Sequence, residues 1–488
     1  MLFPEDFIKQ TKELLGEEAE ALIAALEGAS PVSIRLNPAK VDEKLDENLS
    51  NTLGPSPETV PWSSFGRYLK ERPSFTFDPL LHAGCYYVQE ASSMFVEQAL
   101  RQALRILSKD TVRMLDLCAA PGGKSTLSAS VLPEGSLLVA NELIRTRANI
   151  LAENLIKWGN PNVVVTQSDP SAFSGLTDFF DIILTDVPCS GEGMFRKDPD
   201  SISEWSKDNV NLCASRQRDI LTSCWPALKE GGCLIYSTCT YNRQEDEENI
   251  RWICEELGAT LLKVPVQEEW KISGALANSP SEDSKSDFPV YRFLPHKTKG
   301  EGFFLALLQK EKSGLECSFS ERPYKAEKKG INSRTKGKQG TYSVPEISDN
   351  VRKLLKNPAN FEFSLDRQKR IRALPKNQKA AIGQLEETLR IVHAGIGIGE
   401  MKGKDLLPDI SLALSVELDV KSVQTCGLDL RQAIAYLRRE ALLLPEECPL
   451  GWVLMTYEGH PLGWMKNIGN RANNAYPNEW RIRSENPY

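Results

Sequence analysis

The sequence predicts an α/β protein whose core is a doubly wound sheet, and three observations support this fold class. Between about residues 81 and 312, apolar runs of strand length alternate with helical patterns. One run, 113–117, leads into the glycine-containing loop CAAPGGKST. Two other runs end near cysteines, Cys189 and Cys239, which lie 50 positions apart. Ligands of such sheets bind at the carboxyl ends of the strands, so the sequence predicts a functional site at that edge.

The elements of this core follow from the apolar periodicity. Candidate strands are 113–117, 137–141, 163–167, 181–186, 233–238, 260–264 and 302–308, and candidate helices are 124–131, 144–157, 207–228 and 244–257. The last strand follows a long polar loop without an intervening clear helix. We therefore expect it to be an antiparallel addition to the sheet.

The core is flanked by further units on both sides. Residues 1–80 contain two helical patterns, 5–15 and 17–27, followed by a short strand at 32–36. Residues 313–345 are polar and rich in Lys and Gly, which indicates a linker. We expect a helical connecting region at 346–405, and a small terminal unit of short strands at 406–488 that includes 451–458 and 461–466.

Composition limits the class of protein. Of 488 residues, 41% are hydrophobic and 26% are charged, which is typical of a soluble globular protein. The first 26 residues are amphipathic and acidic rather than signal-like, and no apolar run is long enough to span a membrane. Eleven cysteines without a CxxC pair, and only four histidines, predict free thiols in the cytoplasm and no metal site.

Charge is unevenly distributed along the chain. The formal net charge is −7, yet residues 322–379 carry 16 Lys/Arg against five Asp/Glu. A basic segment on an acidic protein is either a footprint for nucleic-acid phosphates or a solvated linker and helix face. Charge alone leaves both interpretations open.

The glycine loop predicts an adenosine-containing ligand. Its GGKST sequence is similar to an NTP-binding P-loop, but Cys118 stands where the first glycine of that motif is required. The next strand ends at Glu142, a position at which related folds hold ribose hydroxyls, and Asp169 follows the third strand, where it could contact adenine. Because nothing suggests a pyrophosphate partner, S-adenosylmethionine is favoured over NAD.

The motifs resemble those of the Nop/Sun family of RNA 5-cytosine methyltransferases over about residues 30–310. They are GCYYVQEASSM, CAAPGGKS, DVPCSGEGMFRKDP, YSTCTYNRQEDEEN and RFLPHKTKGEGFFLAL. The C-terminal GWVLMTYEGHPLGWMKNIGNRANNAYP resembles the PUA-like RNA-binding domain of the bacterial rRNA small-subunit methyltransferase F group. One departure is Val187, where the family usually has alanine.

The resemblance implies a Rossmann-like seven-stranded methyltransferase core dependent on S-adenosylmethionine, between an N-terminal α+β RNA-recognition region and a C-terminal PUA-like domain. The loop residues would cradle the methionine part of the cofactor; they are Cys118, Ala119, Ala120, Pro121, Gly122, Gly123 and Lys124. Glu142 would bind the ribose, Asp169 would contact the adenine, and Asp186 would face both cofactor and base.

The resemblance also implies a covalent mechanism. Cys239 would add to carbon 6 of cytosine, so that carbon 5 becomes nucleophilic enough to take the methyl group. Asp186 would protonate or hydrogen-bond ring nitrogen 3, provided that burial raises its proton affinity. Cys189 would assist release of the adduct, and Lys124 would help to keep Cys239 as a thiolate.

The expected partner is 16S rRNA near the decoding centre, bound by a cytoplasmic monomer without membrane association. Candidate RNA contacts are Arg35, Asn37, Arg196, Lys197, Asn470 and Arg471.

Other functions remain open at this stage. A DNA cytosine-5 methyltransferase would use the Pro-Cys motif, and hence Cys189, as its nucleophile. A tRNA cytosine-5 methyltransferase would share all the chemical groups, and a non-catalytic rRNA-binding assembly factor would keep only the fold. The P-loop interpretation predicts ATP binding.

Overall fold

The computed structural model describes residues 3–41, 58–276, 288–312, 347–366, 368–403, 405–442 and 444–484. In these ranges the chain forms one nine-stranded sheet and three smaller sheets. The predicted basic linker, 313–345, lies outside the described residues. None of the helices within these ranges has the length and apolar character needed to cross a bilayer.

The N-terminal region begins with the two predicted helices. Helix α1 spans Glu5–Leu15 and α2 spans Ala19–Leu26, and strands β1 (Val32–Leu36), β2 (Gly66–Leu69) and β3 (Tyr86–Val88) form an antiparallel sheet in the order β2-β1-β3. The short helix α3 (Pro79–His82) precedes β3. Phe7 of α1 is fully buried, and its ring contacts those of Phe195 and Trp205. This packing joins α1 to the segment that follows Cys189.

The central sheet confirms the predicted doubly wound core. Its elements are α4 (Val96–Leu107), β4 (Arg113–Asp116), α5 (Gly123–Val131), β5 (Leu137–Asn141), α6 (Arg145–Trp158), β6 (Val163–Thr166), β7 (Phe180–Asp186), α7 (Asp200–Glu204), α8 (Lys207–Cys224), β8 (Leu228–Thr238), α9 (Glu247–Leu257), β9 (Ala259–Leu262), β10 (Val290–Phe293) and β11 (Phe303–Lys310). The order is β10-β11-β8-β7-β4-β5-β6, with β4 to β8 parallel and β11 antiparallel to β8. These strands are almost wholly apolar because helices cover both faces.

Two strands extend this sheet beyond the seven implied by the resemblance. Strand β9 pairs with β11, and β14 (Ile391–Ala394) pairs antiparallel with β6 at the other edge. The chain that is described again from residue 347 thus returns to the core and covers the edge of β6.

The predicted helical connecting region, 346–405, contains four strands as well as helices in its described part, so the helical prediction was wrong. Its strands β12 (Phe361–Leu365), β13 (Ile371–Pro375) and β15 (Ile396–Lys402) form an antiparallel sheet with β16 (Asp405–Pro408). In the described part of this region the α-helices are α10 (Asp349–Arg352) and α11 (Lys379–Thr388). Apolar residues that alternate along β12 and β13 are buried on one face, so a period of two prevails over the helical composition. The predicted boundary at 405 falls at the start of β16.

The C-terminal unit contains α12 (Ile410–Leu414), β17 (Gln424–Leu428), α13 (Leu430–Arg438), β18 (Gly451–Tyr457), β19 (His460–Asn467) and β20 (Ala472–Asn474). Its sheet has the order β17-β18-β19-β20, with β17 parallel to β18. Asp429 begins α13 with a capping box that it shares with Gln432.

The N-terminal region and the C-terminal unit share one hydrophobic cluster. Leu36 and Phe77 from the first pack in it with Met455 and Tyr476 from the second. The Tyr476 hydroxyl also lies 3.4 Å from Nδ1 of His82, and both residues are buried. The terminal unit is therefore packed against the N-terminal region rather than attached by a flexible connection.

Candidate active site

The two cysteines predicted to be catalytic meet at the carboxyl ends of neighbouring strands. Cys189 follows β7 and Cys239 follows β8, and the paired strands bring their sulfurs to 3.1 Å. The contact with Cys239, followed by burial, raises the pKa of the Cys189 thiol well above its usual value. Cys189 therefore keeps its proton and can donate a hydrogen bond to the Cys239 sulfur.

Lys124 and Asp186 form an ion pair beside the thiols. Lys124 Nζ lies 2.7 Å from Asp186 Oδ2, and Ser237 Oγ donates to Asp186 Oδ1 at 2.8 Å. Burial disfavours the charged form of Lys124, but attraction to Asp186, with a smaller part from Cys239, raises the pKa of Lys124 above its ordinary value. The ammonium is thus held in place by the Asp186 carboxylate.

Asp186 is less buried than its expected role required. Its side chain is 34% exposed and is paired with an ammonium, whereas the expected role as a proton donor required burial. Because the pKa of Lys124 is raised, the proton of this pair is on the Lys124 amine.

A buried carboxyl group that sequence analysis did not name lies close to this pair. Asp116, at the end of β4, is fully buried; its Oδ2 accepts from Ser125 Oγ at 2.6 Å, and its Oδ1 has no partner. Burial raises the pKa of Asp116 to about 7, and the charge of Asp186 adds to the shift. Its position at a strand end directly before the glycine loop was a signal in the sequence that could have identified it.

The glycine loop turns tightly between β4 and α5, and neighbouring side chains hold its carbonyl groups. Gly122 has a φ of +116°, a backbone conformation that residues other than glycine rarely adopt. Arg147 donates to the Ala120 carbonyl at 3.1 Å, and Asn154 donates to the Pro121 carbonyl at 2.8 Å. The Cys118 thiol is partly buried, and burial raises its pKa well above the usual value. The Ala120 and Pro121 carbonyl groups are therefore already hydrogen-bonded within the protein.

Arg35 supports this loop from inside the protein, which corrects its predicted contact with RNA. Its side chain is 2% exposed, and it donates to Gln89 Oε1 at 2.8 Å and Thr126 Oγ1 at 2.6 Å. The guanidinium also reaches the Gly123 carbonyl and stacks 4.5 Å from the Trp158 ring. Burial lowers the pKa of Arg35 to about 9.

Asn37 and Arg196 are likewise engaged within the protein, so their predicted RNA contacts are also corrected. Asn37 is fully buried, and its amide donates to the carbonyls of Gly84 and Trp158. The Arg196 side chain is 7% exposed and pairs with Glu301 at 2.8 Å. A strand-end Arg or Asn looks surface-directed in a sequence, because the distant segments that enclose it are not visible there.

The predicted ribose and adenine residues follow the next two strands. Glu142, after β5, is 5% exposed and accepts from the Ile144 amide at 2.9 Å. Asp169, after β6, is exposed, and a hydrogen bond from Ser171 lowers its pKa. Leu143 and Ile144, which sequence analysis missed, are 50% and 51% exposed beside Glu142. Apolar side chains next to a buried acid suit a nucleoside, whose base is flat and apolar and whose ribose is polar.

The remaining RNA candidates are on the surface. Lys197 is exposed in the segment after Cys189, and Asn470 and Arg471 are exposed in the loop between β19 and β20. By contrast, Trp464 and Tyr476 of the same unit are buried, so they belong to its core. Val187 is also buried, 3% exposed, and packs in the core of the sheet.

The hydrogen-bond acceptors and apolar side chains along this edge fit S-adenosylmethionine. The unpartnered, buried Oδ1 of Asp116 lies at the edge that carries the glycine turn, the Glu142 carboxylate and the exposed Leu143 and Ile144. An ammonium, a ribose and a base can each be matched by one of these groups.

Comparison with known families gives matches in three parts of the chain. Residues 102–309 match the family model described as 16S rRNA methyltransferase RsmB/F. Residues 3–91 match the N-terminal domain of 16S rRNA methyltransferase RsmF, and residues 423–482 match the methyltransferase RsmF PUA domain.

Named relatives and solved structures agree with these matches. The "Ribosomal RNA small subunit methyltransferase F" of Shewanella loihica is 31% identical over 92% of this chain and 88% of its own length. The protein of the same name from Aliivibrio fischeri is 30% identical over 98% of both chains. A methyltransferase homolog from Pyrococcus horikoshii has a TM-score of 0.53 and 29% identity over 63% of this chain and 95% of its own. NSun6 from Pyrococcus horikoshii, solved with SFG, shares the fold with a TM-score of 0.52 and 21% identity over 64% of this chain and 99% of its own.

Replacing Asp116 by Asn should remove a pH dependence of stability. The pKa of Asp116 is about 7 in the folded protein against 3.8 for the free group. Between these values the folded state holds a proton that the unfolded chain has released, so this group lowers the free energy of unfolding as pH rises. Urea unfolding from about pH 4 to about pH 7 should therefore show Asp116→Asn gaining on the wild type by on the order of 1 kcal/mol per pH unit. A difference that does not change with pH would contradict this assignment.

Proposed function

We propose, on the premise that this chain belongs to the family of the ribosomal RNA small subunit methyltransferase F, that it forms 5-methylcytosine in 16S rRNA near the decoding centre. It is an S-adenosylmethionine-dependent rRNA methyltransferase. The observation that carries the cytosine-5 chemistry is the pair of sulfurs 3.1 Å apart, next to the Lys124–Asp186 ion pair.

The cofactor would bind along the carboxyl edge of β4, β5 and β6. The loop 118–124 would enclose its methionine part, Glu142 would accept from the ribose hydroxyls, and Asp169 would accept from the adenine amino group. Leu143 and Ile144 would cover the apolar face of the adenine. When bound, S-adenosylmethionine supplies the methyl group.

Cys239 would be the nucleophile. The neighbouring Lys124 favours its thiolate, and the raised pKa of Cys189 keeps the second thiol protonated. Addition of the thiolate to carbon 6 of cytosine makes carbon 5 an enamine carbon, which can attack the methyl group. The target base must leave its stack to reach these sulfurs.

The Lys124–Asp186 pair would stabilise the charge that develops on ring nitrogen 3. In the free protein Lys124 carries the proton, so the pair as a unit, rather than a buried neutral Asp186, would provide the hydrogen bond to the ring. Ser237 holds the other oxygen of Asp186 and so fixes the orientation of the carboxylate.

Cys189 would assist release of the product. A base, such as a water molecule, must take the carbon 5 proton; the electrons of that bond form the C5–C6 double bond, and Cys239 leaves carbon 6 as a thiolate. Cys189 is a protonated thiol close to that sulfur, so its S–H can stabilise the departing thiolate by a hydrogen bond.

We also propose that the protein acts as a cytoplasmic monomer. A separate proposal is that RNA contacts Lys197, Asn470 and Arg471. Support for the RNA contacts comes from the exposure of these side chains, one in the segment that follows Cys189 and two in the unit that matches the PUA domain. Light scattering of the purified protein tests the monomeric state.

Bisulfite sequencing of small-subunit rRNA treated with purified protein and S-adenosylmethionine tests the target. We expect at least one cytosine to become protected, and Cys239→Ala to leave every cytosine unprotected. Protection only in tRNA would reject the rRNA site and keep the chemistry. Cofactor binding without methylation of either RNA would favour a non-catalytic assembly factor.

Separate replacement of the two cysteines tests their roles. RNA containing 5-fluorocytosine traps the covalent adduct, because the fluorine cannot leave as a proton does. Cys239→Ala should abolish this trapping. Cys189→Ala should keep it, but should lower turnover on ordinary RNA by roughly 10²-fold or more and leave adduct visible on a denaturing gel. Trapping by Cys239→Ala and its loss in Cys189→Ala would reverse the assignment.

Salt dependence of RNA binding tests the exposed cations. Lys197→Ala and Arg471→Ala should each weaken binding several-fold and reduce the slope of log K against log salt by about 0.7 for a single-stranded contact. Lys312→Ala is the matched control. This exposed lysine follows β11, which runs antiparallel to β8, so it lies at the end of the sheet away from the two thiols. Equal effects of all three replacements would indicate non-specific attraction only.

A further inference from the structure

Three buried side chains occupy the space between the two cysteine loops without taking part in the proposed chemistry. Glu192, Asn242 and Glu245 are each fully buried. They come from the motifs that contain Cys189 and Cys239, and they hydrogen-bond to one another through the Asn242 amide. Two acids buried together are costly unless they serve as acceptors for many donors.

Glu245 acts on the Cys189 loop. Its carboxylate accepts from the Ser190 amide at 3.0 Å, directly after Cys189, and from Gln217 Nε2 at 2.7 Å. Gln217 Nε2 also donates to the Pro188 carbonyl at 3.0 Å, directly before Cys189. The peptide groups on both sides of Cys189 are therefore fixed by this one carboxylate and its partner.

Glu192 acts on the Cys239 loop. Its Oε2 accepts from the Tyr241 amide at 2.7 Å, and its Oε1 accepts from Trp205 Nε1 and Gln10 Nε2, both at 2.9 Å. Next to it, the Gly193 amide donates to the Cys239 carbonyl at 2.8 Å. A Cβ atom at Gly193 would lie 2.6 Å from the Gly302 carbonyl oxygen and 3.0 Å from that of Cys239, so a side chain at this position would force the backbone to shift.

The Asn242 amide connects the two acids. Its Oδ1 accepts from the Glu245 amide, and its Nδ2 lies 2.8 Å from Glu245 Oε1, 2.8 Å from Thr240 Oγ1 and 3.2 Å from Glu192 Oε1. The two hydrogens of the Asn242 Nδ2 group are shared among these acceptors and hold the two loops in fixed positions relative to each other.

We propose that Glu245 and Glu192 are positioning residues that act on separate steps: Glu245 places Cys189 for release of the adduct, and Glu192 places Cys239 for its formation. The inference rests on the proposed function, because it assigns one step to each thiol. A small misplacement of either sulfur costs rate, since addition and elimination both need aligned reacting atoms.

Glu245→Gln separates this role from a general loss of structure. Both oxygens of Glu245 face donors, the Asn242 amide on one side and Gln217 Nε2 with the Ser190 amide on the other, so the NH₂ group of glutamine opposes a donor in either orientation. The support of the Cys189 loop is therefore weakened, while Glu192 still accepts from the Tyr241 amide in the Cys239 loop. We expect trapping of 5-fluorocytosine RNA to stay within about twofold of the wild type, whereas turnover on ordinary rRNA falls about tenfold and adduct accumulates. Glu192→Gln should slow trapping itself. If Glu245→Gln does not fold, Glu245→Asp keeps the charge and shortens its reach, and should shift the same ratio.

Glu97→Gln is the control for a buried acid away from the thiols. Glu97 is 1% exposed and accepts from Ser63, Ser64 and Arg101, and its replacement should leave the ratio of trapping to turnover unchanged. The double variant Cys189→Ala with Glu245→Gln should be no slower than Cys189→Ala alone, because both changes affect one step. A further loss in the double variant, or equal losses of trapping and turnover in Glu245→Gln, would overturn the inference. Absence of trapping by the wild type would reject the proposed function itself.

Discussion

The parallel pairing of β4, β7 and β8 is the constraint on which the site depends. In the register between β7 and β8, Asp186 lies opposite Ser237, so the two loops that follow carry their thiols side by side. The pairing of β4 with β7 brings the glycine loop, and Lys124 at the start of α5, to the same edge. A shift of one residue in this register would turn Asp186 to the other face of the sheet and break its contacts with Lys124 and Ser237.

Polar groups inside the protein give this edge its rigidity. Arg35, from the N-terminal sheet, donates to the glycine loop and to the helix that follows it. Glu192, after Cys189, accepts from the Cys239 loop, and Glu245, after Cys239, accepts from the Cys189 loop. Buried charges of this kind stabilise little by themselves, but they define one arrangement when every donor and acceptor is matched. Asp116 is an exception among the described residues, because its Oδ1 has no partner and lies where a ligand is expected.

The sequence was sufficient for those features that are local. Strand ends, the glycine turn and the cysteine positions are encoded within a few residues, and the strands from β4 to β8 formed close to the predicted bounds. Features that depend on distant segments could not be predicted. The burial of Arg35 depends on Gln89 and Thr126, and the pairing of β14 with β6 depends on a segment more than 200 residues further along the chain. The β-structure in 346–405 was missed because its polar composition obscured a short alternating pattern.

The shared cluster that joins the first and last units of the chain has a consequence for how a target could be chosen. The two units are packed together, and Arg35 hydrogen-bonds the first of them to the glycine loop. The loop between β19 and β20 is therefore held at a fixed distance from the two sulfurs. In an RNA bound by that loop, the base that reaches the thiols would be selected by its distance from the bound nucleotides. Identity of neighbouring bases would matter less than the shape that the RNA keeps over that span.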